Sequence, residues 1–319
     1  MIVVERAPPY LTVQDMGRPG YRASGVPTGG AMDQWALATA NLLIGNERGA
    51  AALEWAIAGG SLRFERDCVI AMAGTDIEAT LDGVPVTAGQ RLSVRSGQVL
   101  AIRRLVTRRF LYLAVSGGID CPAVLGSRST YLPASLGGIE GRRLIKGDRL
   151  PTGQRHLSGE NADVVFEANT VGPDYDAREI RVVAAANQNS AGPDEAQGGL
   201  FKDFFETSYT VSPASDRMGY RLVPDRSLGA MGASITSEPV CSGAIQLPPN
   251  GEPIVLMADS PTVGGYTILG TVISCDLPIL AQCMPGRKIR FAGVSVDAAQ
   301  EALRERTILF AELATKRAR

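Results

Sequence analysis

Four loop segments concentrate the residues whose types could do chemistry. Residues 12–33 (TVQDMGRPGYRASGVPTGGAMD) set Asp15, Arg18, Arg22 and Asp33 among glycine and proline turns. Residues 117–143 carry Gly-Gly-Ile followed by an acid twice, ending at Asp120 and at Glu140, and between these lie Ser127, Arg128, Ser129 and Thr130. Residues 215–221 (SDRMGYR) place Asp216, Arg217 and Arg221 in one short stretch. The fourth segment runs from Glu238 through Gln246 to Asp259, Thr262 and Tyr266. A guanidinium beside hydroxyls on a glycine-rich loop offers a planar fork and backbone N–H donors to a carboxylate or phosphate. Carboxylates on neighbouring loops can move protons to and from the bound group. Each segment also has a plain structural reading, in which Asp–Arg pairs tie turns and glycines satisfy positive φ. Their shared composition on turns, with plain strands between, favours a site.

Other chemistries are excluded by what is missing. The chain of 319 residues has one histidine, His156, expected at the surface after a Pro-Thr-Gly-Gln-Arg turn, so Ser-His-Asp and Cys-His mechanisms have almost nothing to run on. Only Lys146, Lys202, Lys288 and Lys316 are lysines. No G-x-x-x-x-G-K-[ST] loop, G-x-G-x-x-G opening a helix, H-E-x-x-H or C-x-x-C occurs. No Met-Lys-Met occurs either, so the chain is not itself a biotin carrier. The five cysteines are irregularly spaced and mostly in apolar runs, which reads as buried free thiols in a reducing compartment.

The elements that must position these loops are mostly strands. Residues 77–81 and 84–86 alternate at period two around Asp82-Gly83, the pair suited to a type I′ hairpin. Residues 91–94, 99–102 and 110–115 read as further strands, and 69–73 and 254–258 as strands buried on both faces. Thirty-six glycines and nineteen prolines suit a barrel or sandwich. Asp33 is placed to cap a mostly buried helix over 34–44 with Gly45 at its end, and Asp297 a helix to about 313. Residues 187–199 read as a mobile loop or lid, or as a disordered surface excursion. Residues 12–22 have a weak echo in 209–221, and 54–74 align without gaps to 238–258. Two related β lobes follow from this, residues 1–157 with the helix near 33–45 and residues 158–319 with the C-terminal helix.

Net charge is −1 and the pI about 6.0, which argues against nucleic acid as a partner. No apolar run reaches the roughly 18 residues that span a bilayer. The N-terminus shows no charged segment followed by an apolar one, so no signal peptide is expected and the location reads as cytoplasmic.

The loop segments, together with ANLLIGNERGAAALE, LAVSGGIDCPAVLGSRSTYLPASLGG, SDRMGYRL and SEPVCSGAIQLPPNGEPIVLMADSPTVGGY, resemble the KipA family. It is also known as allophanate hydrolase subunit 2 and supplies the C subunit of bacterial ATP-dependent 5-oxoprolinase. The resemblance covers nearly the whole chain. It implies a mainly β, cyclophilin-like barrel architecture, a KipI-like partner (the B subunit) and a LamB/YcsF-like partner (the A subunit). The implied reaction opens the 5-oxoproline lactam to L-glutamate, with ATP as co-substrate of the complex. Alternatives within the resemblance are a carboxyltransferase half of a urea carboxylase type, where biotin would deliver the carboxyl group and Lys146 or an arginine would meet it, and a KipA-type regulator that antagonises a kinase inhibitor. Either enzymatic reaction needs an anion held and an oxyanion stabilised. Arg128 with Arg217 or Arg221 is assigned to anion binding, with Ser127 and Thr130 as donors. Asp33, Glu54, Asp216, Glu238 and Asp259 are the acid/base candidates; Asn41 and Gln246 would orient an amide, and Thr262 and Tyr266 complete the set. No metal is expected. The chain departs from the family pattern at Gly29, where Ser is frequent, and at Pro261, Val263 and Thr267 around Gly264-Gly265-Tyr266, which bears on the substrate.

Overall fold

The computed structural model describes residues 1–154, 172–185, 195–228 and 235–316. The chain divides into two compact units that exchange segments. One comprises Met1–Arg18, Gly29–Gly172 and Phe310–Arg319; the other comprises Pro19–Thr28 and Pro173–Leu309. The expected lobe boundary near 157 and His156 both lie outside the described residues.

The first unit contains β1 (Ile2–Arg6), β2 (Tyr10–Gln14), α1 (Gln34–Ile44), β3 (Ala52–Ala56), β4 (Gly60–Phe64), β5 (Cys68–Ala73), β6 (Ile77–Leu81), β7 (Val84–Val86), β8 (Arg91–Val94), β9 (Val99–Leu105), β10 (Phe110–Val115) and β11 (Arg149–Leu150). They form a six-stranded sheet, β11-β1-β4-β9-β6-β7, and a five-stranded sheet, β2-β3-β10-β5-β8. Period-two alternation makes the core: Leu11, Val13, Leu53, Trp55, Leu111 and Leu113 meet Ile2, Val4, Leu62, Phe64, Leu100 and Ile102. Each such side chain contributes about 1.5–3 kcal/mol on burial. The alternate positions of the five-stranded sheet are also buried, and among them Thr12, Gln14, Glu54 and Tyr112 are polar. Helix α1 packs along β10 and β5. Its ends follow the sequence: the Asp33 carboxylate accepts from Ala36 N, and Gly45 closes it at φ 90°. The β6–β7 hairpin turns through Asp82 and Gly83 at φ 48° and 83°.

The second unit contains β12 (Glu179–Ala184), α2 (Glu195–Glu206), β13 (Ser208–Val211), β14 (Gly219–Pro224), β15 (Glu238–Pro239), β16 (Ala244–Leu247), β17 (Ile254–Leu256), β18 (Val263–Gly264), β19 (Thr267–Val272), α3 (Leu277–Ala281), β20 (Lys288–Gly293) and most of α4 (Val296–Lys316). Seven strands close into a barrel, β12-β19-β16-β17-β14-β13-β20, with β12 and β20 parallel. Closure leaves no barrel edge to pair with another chain. The expected β architecture with a barrel and few helices is therefore what the chain adopts. Strands β15 and β18 form a separate two-stranded ribbon.

Two expectations need correction. The loop read over 187–199 runs instead into α2 from Glu195, and residues 187–194 lie outside the described ones. The helix is held by Phe204, which stacks on Phe291 and packs on Tyr209, an anchor that lies beyond the polar stretch. Only two thiols, Cys121 and Cys283, are buried; Cys241 is exposed. Burial still pushes the Cys68 thiol up to about 11 and raises Cys121 and Cys275, which disfavours thiolates there. No helix among the described residues is long and apolar enough to cross a membrane.

Candidate functional site

In the first unit, the loop after α1 and the loop after β10 bound a cleft of about 650 Å³, whose lining includes Asp15, Asn46, Gly117, Gly118, Asp120 and Arg128. Gly117 has φ 86°, and a Cβ there would lie 2.5 Å from the Gly153 carbonyl oxygen, so only glycine fits that wall. Asn46 ties the wall together: its amide donates to Val115 O (2.8 Å) and to Asn41 Oδ1 (2.9 Å), and its Oδ1 accepts from Gly117 N (3.0 Å). Asn41 is fully buried and donates to Ala50 O (2.8 Å). It therefore supports the wall from behind.

Arg128 stands on a loop organised by Asp15. The Asp15 carboxylate accepts from Arg128 N (2.6 Å), Ser127 Oγ (2.7 Å), Gly17 N (2.7 Å) and Ser129 Oγ, while Asp15 N donates to Ser129 Oγ (2.9 Å). Arg18, buried nearby, donates to Ser129 O. The Arg128 guanidinium donates Nε to Cys121 O (2.7 Å) and Nη2 to Asp120 Oδ1 (2.8 Å). Its side chain stays 41% exposed, so it can turn to an incoming anion. The Ser127 hydroxyl is spent on Asp15. Thr130 is buried, donates its N–H to Val13 O (2.9 Å) and accepts from Gln14 Nε2 (3.1 Å).

A second polar group lies within the same unit on the face of the five-stranded sheet turned away from that core. Tyr112 donates to Glu54 Oε2 (2.6 Å) and accepts from Asp33 N (2.8 Å); Met32 N also donates to Glu54 Oε2 (2.9 Å). Complete burial, then the nearby Glu54 and Asp33 charges, raise the Tyr112 phenol well above its ordinary value. Asp33 and Glu54 are thus brought together, both fully buried.

The second unit groups other expected residues. Arg217 and Asp259 form a buried bidentate pair, Nε to Oδ2 at 2.7 Å and Nη2 to Oδ1 at 2.8 Å. Asp216 is exposed and folds the turn, its Oδ1 accepting from Met218 N (2.8 Å) and Gly219 N (3.1 Å). The exposed Arg221 belongs to β14. Glu238 and Tyr266 are exposed, and Thr262 accepts at its carbonyl from Val240 N (3.0 Å). Gln246 is buried on β16. Glu54 sits in a fully buried five-residue strand and Glu238 in an exposed two-residue one, so the two glutamates aligned in sequence have unlike settings.

Sequence reasoning placed Asp15 and Asp120 in the motif loops without giving them a role, and missed Asn46 and Tyr112. A signal was present for Asp15 and Asp120, which flank glycines in the motif loops. None marked Tyr112, which looks like an ordinary strand aromatic.

The family described as "Carboxyltransferase domain, subdomain A and B" matches residues 24–293. The chain is 37% identical over 321 residues to the C subunit of 5-oxoprolinase from Escherichia coli K12, covering 98% of each chain. It is 35% identical to the C subunit of 5-oxoprolinase from Haemophilus influenzae over 93% of this chain and 92% of that one. It is 32% identical to urea amidolyase of Lachancea kluyveri over 92% of this chain but 17% of that protein. The crystal structure of K. lactis urea amidolyase matches it with a TM-score of 0.83 at 28% identity, over 98% of this chain and 20% of that chain. The chain thus spans about a fifth of the length of the urea amidolyases it resembles.

Proposed function

The chain belongs to the carboxyltransferase domain, subdomain A and B, family, and from that premise we propose that it acts as the C subunit of an ATP-dependent 5-oxoprolinase. The observation that carries this reading is the end-to-end match, 98% of both chains, to a protein of that name. In the proposed reaction the lactam C–N bond of 5-oxoproline breaks. Water supplies hydroxyl to the carbonyl carbon and a proton to the nitrogen, and ATP hydrolysis drives the step. KipI-like and LamB/YcsF-like subunits complete the complex, and the setting is cytoplasmic.

A lactam carbonyl is a weak electrophile, so the reaction needs an activated oxygen held as an anion. Arg128 suits that role, because its loop is held in place by three donors to Asp15 and its guanidinium is half open in a polar cleft. Exchange of the exposed Asp120 pair for a substrate anion costs little, because exposed pairs contribute only about 0.2–1 kcal/mol. ATP is a co-substrate of the complex.

A second reading, transfer of a carboxyl group from carboxybiotin, is favoured by the family's description and by the fold match to urea amidolyase. Lys146, on an exposed turn, would then be a candidate contact.

Reconstitution tests both. With the two partner subunits and ATP, 5-oxoproline should yield glutamate, and Arg128→Ala should lower turnover at least about tenfold, a loss of roughly 1.4 kcal/mol of transition-state stabilisation, with little change in melting temperature. Unchanged turnover and assembly in Arg128→Ala would remove the cleft from the reaction. No glutamate from the full set, with carboxylated product from carboxybiotin, would establish the second reading instead.

A further inference from the structure

We propose that the second unit holds a carboxylate-binding subsite built from Arg22, Gln246 and Ser260, made of residues other than those lining the Arg128 cleft. The inference goes beyond the reading above and does not depend on it.

The segment Pro19–Thr28 packs with the barrel unit, and Arg22 is what it contributes there. Arg22 Nη2 donates to Val240 O (2.6 Å) and Pro261 O (3.0 Å), bridging the two sides of the β15–β18 ribbon at one end. Those bonds orient the guanidinium but do not neutralise it, since both acceptors are carbonyls. Its Nη1 is buried and has no hydrogen-bond partner among the described residues, and neither does Ser260 Oγ, one residue before Pro261. The third group reaches the same place from the barrel wall. Gln246 is 5% exposed, and its Nε2 also lacks a partner among those residues. That nitrogen lies over Gly264, where a Cβ would sit 2.1 Å from it and 3.3 Å from Val240 Cγ1.

Arg22 bonds Val240 and Pro261, Ser260 adjoins Pro261, and Gln246 and Val240 both border Gly264, so three buried donors, a guanidinium N–H, an amide N–H and a hydroxyl, belong to residues around one end of the ribbon. A buried donor left unpaired is costly, and folds seldom leave one without a reason. Three together with one fixed positive charge call for an acceptor that is anionic and has more than one lone pair, which describes a carboxylate. Burial restricts it to the carboxylate of a small molecule. Gly264 leaves the amide its room, and its backbone is not in the left-handed region, so alanine there changes space rather than backbone preference.

The probes are acetate, 5-oxoproline and the neutral isostere acetamide, titrated into the full chain while the Gln246 side-chain amide is followed by nitrogen-15 NMR. Carboxylates should move that amide signal and raise the melting temperature, with acetamide at least about tenfold weaker because Arg22 is charged. Gln246→Met and Ser260→Ala should each weaken binding about tenfold or more while raising the melting temperature of the ligand-free protein, because each removes an unpaired buried polar group. Gly264→Ala should block binding by displacing the amide. Binding of acetate without 5-oxoproline would keep the subsite and count against the lactam-acid substrate. An amide signal indifferent to every carboxylate, or equal affinity in all three variants, would overturn the subsite.

Discussion

Tyr112 links two of the acid/base candidates, although its residue type suggests only a strand aromatic. Its hydroxyl is the donor to Glu54 and the acceptor for Asp33 N, both deep in the first unit. Tyr112→Phe keeps the ring packing and leaves a carboxylate short of a donor and an amide short of an acceptor. The expected loss is about 2–3 kcal/mol of folding stability by urea titration, since unsatisfied buried groups carry their full desolvation cost. The pH dependence has a definite sign. The phenol titrates near 10 when unfolded and higher when folded, so its contribution is fully present below about pH 10 and is lost as pH rises beyond that. Tyr112→Phe should therefore show a shallower fall in stability above pH 10 than the wild type. Tyr209, also raised by burial, retains its own share in both proteins. An identical slope would mean that Tyr112 ionises no differently in the folded chain.

Among the elements, the turn between β3 and β4 contradicts its own sequence. Ala58 N donates to Ala56 O at 3.0 Å, closing a three-residue turn on Ile57 at φ 80°. That region disfavours a β-branched residue, and Ile57 is 71% exposed, so no burial offsets the strain. Trp55 Nε1, donating to Ala58 O at 2.7 Å, holds the turn closed. Relief of such strain is worth about 1–3 kcal/mol, against roughly 0.5–1 kcal/mol of added chain entropy from glycine. Ile57→Gly should then stabilise the chain by about 1 kcal/mol in denaturant titration, and a destabilised variant would show that the isoleucine makes contacts that matter. Elements with a local code were legible in the sequence: the 34–44 helix has its Asp33 cap and Gly45 stop, and the 77–86 hairpin its Asp-Gly turn. The Arg128 loop was legible as a candidate but not as a structure. What holds it is Asp15, 112 and 114 residues away from the serines that bond it, and no local pattern reports a contact at that separation. Helix α2 escaped for the same reason, because its anchor Phe204 packs on β13 and β20.

At the scale of the whole molecule, the acid/base candidates show why this chain reads as part of a machine. Asp33 caps a helix, Glu54 accepts from Met32 N and Tyr112, Asp259 is locked to Arg217, and Asp216 folds its own turn. Of the five, Glu238 alone lies exposed on a two-residue strand, outside any such arrangement among the described residues. One histidine and four lysines across 319 residues leave few other groups that could shuttle a proton near neutral pH. Four of the five candidates are thus committed to partners within the chain, and the end-to-end match is to a protein that is itself named as one subunit of an enzyme. The isolated chain should therefore release neither phosphate from ATP nor glutamate from 5-oxoproline. Activity should appear on titrating in the partner subunits and saturate at a fixed ratio, as it would if the reacting groups come from more than one chain. Turnover by this chain alone, at a rate the partners do not change, would require a complete site within it. One of the committed carboxylates would then have to leave its present partners during the reaction.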